Sequence, residues 1–148
     1  MQVFGIAITV LTGILGGISV GLQGPISGAM GQRVGGVASS FIIHVSGAFL
    51  SGLLLLALGG QEIQNWRTLP WYMLGAGMFG VILYITLSYT LPRLGATGAL
   101  SLIIIGQLLM GIVIDHFGWF GTTVRPIDVT RIVAALLLFA GGYLIVRG

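Results

Sequence analysis

Five long hydrophobic segments, separated by short polar or glycine-rich connections, account for nearly the whole chain. A helix that crosses the roughly 30 Å hydrocarbon core of a membrane needs about 20 predominantly apolar residues, and each segment is close to that length. The predicted spans cover residues 3–22, 34–58, 70–91, 94–114 and 129–146. The pattern therefore predicts an all-α integral membrane protein with five transmembrane helices in a single transmembrane domain, residues 1–148.

Composition supports a membrane protein and excludes several other classes. The chain is 56% hydrophobic and only 6% charged, whereas a soluble globular domain carries about 25% charged residues. The net charge of +3 results from the small number of acidic residues and is spread over short loops. It does not form a basic patch, so we expect a lipid bilayer as partner and no nucleic acid. Cysteine is absent, which excludes disulfides and thiolate metal sites.

The arginines divide evenly between the two sides of the predicted bundle. With the loops placed alternately, Arg33, Arg93 and Arg147 fall on one side, and Arg67, Arg125 and Arg131 fall on the other. Membrane proteins orient themselves by an excess of Lys and Arg in cytoplasmic loops, and this chain has no Lys. The balance predicts insertion in both orientations (dual topology) and an antiparallel homodimer of about ten helices.

Three of the spans carry a narrow face of small and polar residues, each within an arc of about 80°. The faces consist of Gly5, Thr9, Thr12, Gly16, Ser19 and Gln23 in span one, Gly36, Ser40, His44, Gly47 and Ser51 in span two, and Gly77, Gly80, Tyr84 and Ser88 in span three. Such faces serve tight helix packing or line a wet cavity. The larger polar side chains among them favour a shared, water-accessible pocket near the midplane.

Five residues are candidates for binding a substrate: Gln23, Ser27, His44, Tyr84 and Gln107. Gln23 precedes Gly24-Pro25, where span one is predicted to break, and broken helices mark binding sites in transporters. An ordinary loop outside the bilayer is the alternative. His44 lies near the middle of span two, where it could bind protons during transport or serve as a neutral hydrogen-bonding residue.

Gln107 is the polar residue within span four, and a buried amide needs a partner, either a substrate or a second chain. Asp115 and His116 follow at the end of that span, where they could cap the helix or share a proton, and Asp115 joins His44 as a candidate for ion coupling. No further ligand stands nearby to complete a metal site. No nucleophile, phosphate-binding or paired-carboxylate motif is present, so we expect neither an enzyme nor a cofactor.

Four segments carry a resemblance that covers almost the whole chain: GLQGPISGAMG, PWYMLGAGMFGVILY, LPRLGATGA and IIIGQLLMGIVIDHFGWFG. They resemble the YdcZ-like family of small bacterial inner-membrane proteins, within the drug/metabolite transporter superfamily. The resemblance implies a multi-pass protein of the bacterial inner membrane with a role in transport, and its single five-helix members are associated with dual topology. Position 27 is Ser, where many relatives have Asn.

Related small multidrug resistance proteins use a Glu in their first span, whereas span one here contains no acid. A cavity lined by hydroxyls, amides, His44 and Tyr84 suits a neutral or weakly charged solute. The leading hypothesis is therefore a small-molecule transporter that works by alternating access as an antiparallel homodimer. A dual-topology ion channel and a non-transporting assembly subunit of a larger membrane complex are the alternatives.

Overall fold

The computed structural model describes residues 2–147, with side chains from residue 5 to residue 147, and its regular elements are helices. The α-helices are α1 (Gln2–Val34), α2 (Gly36–Ala57), α3 (Trp71–Leu74), α4 (Gly77–Phe117) and α5 (Val129–Arg147), with 3₁₀ segments at Ile63–Thr68 and Trp119–Gly121. Within this described part, four stretches are long and apolar enough to cross a membrane: Gly5–Val34, Gly36–Ala57, Trp71–Phe117 and Val129–Arg147. The predicted all-α membrane class is confirmed.

α1 continues through the segment GLQGPISGAMG, so the predicted break of the helix at Gly24-Pro25 is wrong. The segment contains Gly24, Ser27, Gly28 and Gly31, which are all buried. Their spacing places them on one face of a helix, so these small residues form a packing surface. Pro25 removes one backbone donor, a loss that helices in membranes tolerate because neighbouring groups satisfy the freed backbone.

α4 contains one residue outside the helical region of backbone space. Gly95 has φ 67° and ψ 175°, a conformation that is essentially restricted to glycine. Pro92 precedes it by three residues, at the junction where the sequence predicts the end of span three. The break between the third and fourth predicted spans therefore lies at Gly95.

The contacts divide the chain into two compact units, Met1–Pro92 and Arg93–Gly148. In the first unit, α1 packs along α2, and the first part of α4 packs against both. In the second unit, Gly142 of α5 is buried against the side chain of Ile105 in α4. Most of the candidate residues belong to the first unit.

Candidate functional site

Glycines bring the second half of α1 and the start of α2 close to α4. Ser88 of α4 lies against Gly31 and Gly36, and the side chain of Leu91 lies against Gly28. A Cβ added at Gly28 would lie 2.6 Å from Cδ2 of Leu91. Small residues permit such close approach between membrane helices. The close packing fixes the positions of the polar residues on the same helices.

Ser27 lies within this packed region and has no accessible surface (relative exposure 0%). The hydroxyl of Ser39 donates to the backbone carbonyl of Ser27 at 2.9 Å, and the two hydroxyl oxygens are 3.3 Å apart. Nearby, the side-chain amide of Gln32 donates to the carbonyl of Ser88 at 2.6 Å. Ser27, a predicted binding residue, thus contacts a neighbouring helix, and its role in binding stays a prediction.

His44 is half-buried in α2, and its neighbours determine the tautomer of its neutral ring. Nδ1 lies 2.7 Å from the carbonyl oxygen of Ser40 and 3.3 Å from the hydroxyl of the same residue. A carbonyl oxygen only accepts hydrogen bonds, so Nδ1 carries the proton. In the neutral imidazole Nε2 is then an acceptor with a free lone pair.

The tip of the His44 imidazole packs against Gly80 of α4 and leaves no room for a side chain at residue 80. A Cβ built at Gly80 would lie 2.6 Å from Nε2 and 3.1 Å from Cε1 of the ring. Within residues 5–147, every buried side-chain nitrogen or oxygen has a hydrogen-bond partner. Nε2 makes no hydrogen bond to another described group, and it therefore retains an accessible surface.

Tyr84 of α4 completes the contacts of His44. The two ring centroids are 5.5 Å apart at an interplanar angle of 80°, an edge-to-face arrangement. Tyr84 is buried, with 8% exposure, and the side chain of Gln23 lies near its hydroxyl. Gln23, His44 and Tyr84, which we call the polar cluster, thus join α1, α2 and α4, although the sequence placed them on three separate spans.

An open groove of about 560 Å³ begins one helical turn beyond His44 on α2. We call it the α2 groove; its lining residues are Ala48, Ser51, Gly52, Leu54, Leu55, Leu58 and Gln61. Ala48 lies four residues after His44, and residues at this spacing share one helix face. His44 therefore lies on the same helix face, next to one end of the groove, and Gln61 lines the other end. Sequence reasoning missed Gln61 and Gly52, although the spacing 44, 48, 52 and 55 marks the face.

Charged side chains are absent from the sequence around this site. No Asp, Glu, Lys or Arg occurs in residues 34–61 or 68–92, and Glu62 and Arg67 lie in the connection between these stretches. Among the described residues, no three His, Cys, Asp or Glu side chains come close enough to hold a metal ion. The site can recognise a ligand through hydrogen bonds and apolar contact, without a fixed charge.

Gln107 does not join the polar cluster within the first unit, because it belongs to the second. Its side chain is exposed on α4 and makes no hydrogen bond to another described residue. A separate groove of about 240 Å³ lies between α4 and α5, lined by Ser101, Ile104, Ile105, Leu137, Leu138, Gly141, Gly142 and Ile145. That groove is almost entirely apolar and does not include Gln107.

Asp115 holds the connection between α4 and α5 in place. Its carboxylate pairs with the guanidinium of Arg131 at 3.2 Å, and its backbone carbonyl accepts the N–H of Arg125 at 2.8 Å. The next residue, His116, accepts the backbone N–H of Ile127 on Nδ1 at 3.1 Å. A backbone N–H only donates, so Nδ1 of His116 is unprotonated, the reverse of the arrangement at His44.

Comparison with known families supports an assignment for almost the whole chain. Residues 8–144 match the family described as "Putative inner membrane exporter, YdcZ". No curated protein and no solved structure gives a significant match. The family match confirms the resemblance found in the sequence.

Proposed function

Since the chain belongs to the YdcZ family of inner-membrane exporters, we propose that it exports a small, uncharged organic solute. Family membership and the four apolar helical stretches make it a multi-pass protein of the inner membrane. The observation that carries the proposal is the polar cluster, with His44 next to one end of the α2 groove. Polar side chains at membrane depth are costly and usually serve a pathway or a binding site.

An antiparallel homodimer is the form in which we propose that the protein works. The even division of the arginines gives no preferred orientation for insertion. In addition, the described side chains in the first half of α1 are exposed, and a Cβ built on its glycines meets no described atom outside the local helix backbone within 4 Å, at Gly5, Gly13, Gly16, Gly17 and Gly21. A second copy would cover this surface and would relate the two sites by an axis in the membrane plane, as in inverted-repeat transporters.

Gln107 supports the same assembly. An exposed amide in an apolar helix is unfavourable against lipid, because its donors and acceptor find no partner there. Hydrogen bonds between polar side chains of neighbouring membrane helices satisfy such groups. We therefore propose that Gln107 faces the second copy or the transported solute.

The length of α4 supports five crossings per chain. A helix of 41 residues would be about 60 Å long at 1.5 Å per residue, twice the thickness of the hydrocarbon core. We propose that α4 supplies two crossings, which are separated at Gly95. An odd number of crossings puts the two termini on opposite faces of the membrane.

For an export cycle that is coupled to protons, we propose that His44 binds the proton. Nε2 can accept a proton while Nδ1 keeps its hydrogen bond to Ser40, so protonation does not disrupt the contact that holds the ring. Asp115 is the second coupling candidate, and its ion pair with Arg131 would have to open before its carboxylate could accept a proton. We therefore place His44 first.

Counterflow in liposomes tests the export proposal. Purified protein should exchange members of a panel of uncharged radiolabelled solutes with saturation, and His44→Ala should reduce that exchange. Ser46→Ala is the matched control, because Ser46 is exposed on the same helix and its hydroxyl bonds only to the carbonyl of Ile43. Equal exchange by His44→Ala and the wild type would contradict the site. Large unitary currents in planar bilayers would indicate a channel instead.

A further inference from the structure

We propose that the connection between α4 and α5, residues 118–128, binds an anionic phospholipid, and that the guanidinium of Arg125 holds the phosphate of its headgroup. This site lies within the second unit. It is separate from the polar cluster, and lipid binding there does not depend on export.

The backbone of Arg125 is fixed through both of its polar groups. Its N–H donates to the backbone carbonyl of Asp115 at 2.8 Å, and its own carbonyl accepts from the guanidinium of Arg131 at 3.4 Å. Two residues later, the N–H of Ile127 donates to Nδ1 of His116 at 3.1 Å. The connection is therefore tied to both α4 and α5, and the exposed side chain of Arg125 extends from an ordered backbone.

The guanidinium of Arg125 has no ion pair or hydrogen bond with another described residue. The carboxylates on either side of it are engaged: Asp115 pairs with Arg131 at 3.2 Å, and Asp128 caps α5 by accepting the N–H of Arg131 at 2.8 Å. Basic groups at the membrane surface attract anionic lipids. Phosphate is an anion that the planar fork of a guanidinium can bind through two parallel hydrogen bonds.

Exposed apolar side chains surround Arg125 in the connection. Trp119, Phe120 and Val124 are exposed, and the ring of Trp119 stacks on that of Phe117 with centroids 5.5 Å apart. Such a surface is unfavourable in water, whereas Trp favours the boundary between lipid and water. We therefore place the connection in the headgroup region, which brings the guanidinium of Arg125 to the depth of the lipid phosphates.

The backbone of Phe120 supports contact of its ring with lipid. Phe120 has φ 58° and ψ 21°, in the left-handed region that is unfavourable for a bulky residue. Backbone strain of this kind occurs where it contributes to function. Burial of the exposed ring among acyl chains would offset part of the conformational cost.

A second positive group decides the class of headgroup. The guanidinium of Arg131 lies 3.4 Å from the carbonyl oxygen of Arg125. A zwitterionic headgroup would bring its own ammonium close to both arginines, and like charges in proximity are unfavourable. A headgroup whose only charge is the phosphate meets no such repulsion.

Lipid titrations followed by native mass spectrometry test the proposal on the full chain in detergent. The probes are dioleoyl phosphatidylglycerol and dioleoyl phosphatidylcholine, which have the same acyl chains and differ in the headgroup. The wild type should bind phosphatidylglycerol more tightly. Arg125→Gln should weaken that binding by about fivefold, the equivalent of about 1 kcal/mol for one arginine near anionic lipid, and should leave phosphatidylcholine binding unchanged. Arg125→Lys, which keeps the charge without the planar fork, should give an intermediate affinity.

Arg147→Gln is the matched control, because it removes the same charge from the other end of α5. There the guanidinium already lies over the ring of Tyr143, 6.0 Å from its centroid, so this variant should bind phosphatidylglycerol as the wild type does. Phe120→Asn removes the ring and keeps a residue that tolerates the left-handed conformation. It should weaken the binding of both lipids equally, since the ring contacts acyl chains and not the headgroup.

Three results would overturn the proposal. The first is equal binding of the two lipids by the wild type, or an unchanged preference in Arg125→Gln. The second is the same loss in Arg125→Gln and Arg147→Gln, which would show a general effect of net charge. The third is displacement of phosphatidylglycerol by glycerol 3-phosphate, which has no acyl chains and would assign the site to a free phosphate anion.

Discussion

Replacement of Gly31 by alanine should destabilise the first unit, because Gly31 is the tightest of the glycine contacts between α1 and α4. The added Cβ would collide with the hydroxyl of Ser88 and lie 2.7 Å from its Cβ. Ser88 cannot easily move away, since its hydroxyl donates to the carbonyl of Tyr84 at 2.9 Å. Overpacking of this kind costs about 1–3 kcal/mol.

Part of that cost is offset by the helix itself. Alanine is favoured over glycine inside a helix by about 0.5–1 kcal/mol, so the net destabilisation expected for Gly31→Ala is about 0.5–2 kcal/mol. Gly47→Ala is the matched control, because a Cβ at Gly47 meets no atom within 4 Å. That variant should be as stable as the wild type or more stable.

The double variant tests the cause directly. Ser88→Gly removes both colliding atoms and leaves the Cα of residue 88, which lies 3.5 Å from the added Cβ, an ordinary contact distance. In this background Gly31→Ala should be neutral or stabilising, which gives a coupling energy of about 1–3 kcal/mol. Far-UV circular dichroism during unfolding by SDS in mixed micelles measures all four members of the cycle. Equal midpoints for Gly31→Ala and Gly47→Ala, or no relief from Ser88→Gly, would refute the packing argument.

Three other predictions address the histidines, the membrane orientation and the break in α4. When both imidazole rings are neutral, ¹⁵N spectra should show opposite tautomers, with the unprotonated nitrogen at Nε2 in His44 and at Nδ1 in His116. The same tautomer in both residues would contradict one of the two hydrogen bonds. Two lysines in place of Gln61 and Gln64 should bias insertion so that a reporter fused after the last residue loses its cytoplasmic signal, and an unchanged signal would argue against dual topology. Gly95→Ala should cost about 1–3 kcal/mol because its φ of 67° with ψ of 175° is unfavourable for alanine, and an unchanged SDS midpoint would show that the backbone relaxes at no cost.

The sequence predicts the helices well where hydropathy alone decides. The second and fifth spans, predicted as 34–58 and 129–146, agree with α2 and α5 to within two residues. The predicted helix break within GLQGPISGAMG is wrong, because glycine and proline in a sequence favour a break or a loop. The same glycines have the spacing of a helix face, and only their contacts with α2 and α4 reveal which interpretation applies.

The site illustrates a different limit. Helical periodicity predicts the faces that bear Gln23, His44 and Tyr84, since each face can be read from one span alone. Which residues meet across helices depends on the relative register of those helices, and a single sequence carries no direct record of it. The fixed tautomer of His44 and the contact of its ring with Gly80 therefore emerge only from the structure.

The contact between Gly80 and His44 also constrains how related proteins can diverge. A single substitution that adds a methyl group at position 80 would collide with the imidazole of His44. A lineage that gained such a side chain would accommodate it by shortening the residue at position 44. We expect the two positions to covary among homologues, with side-chain volume exchanged between helices at two sites that are 36 residues apart in the sequence.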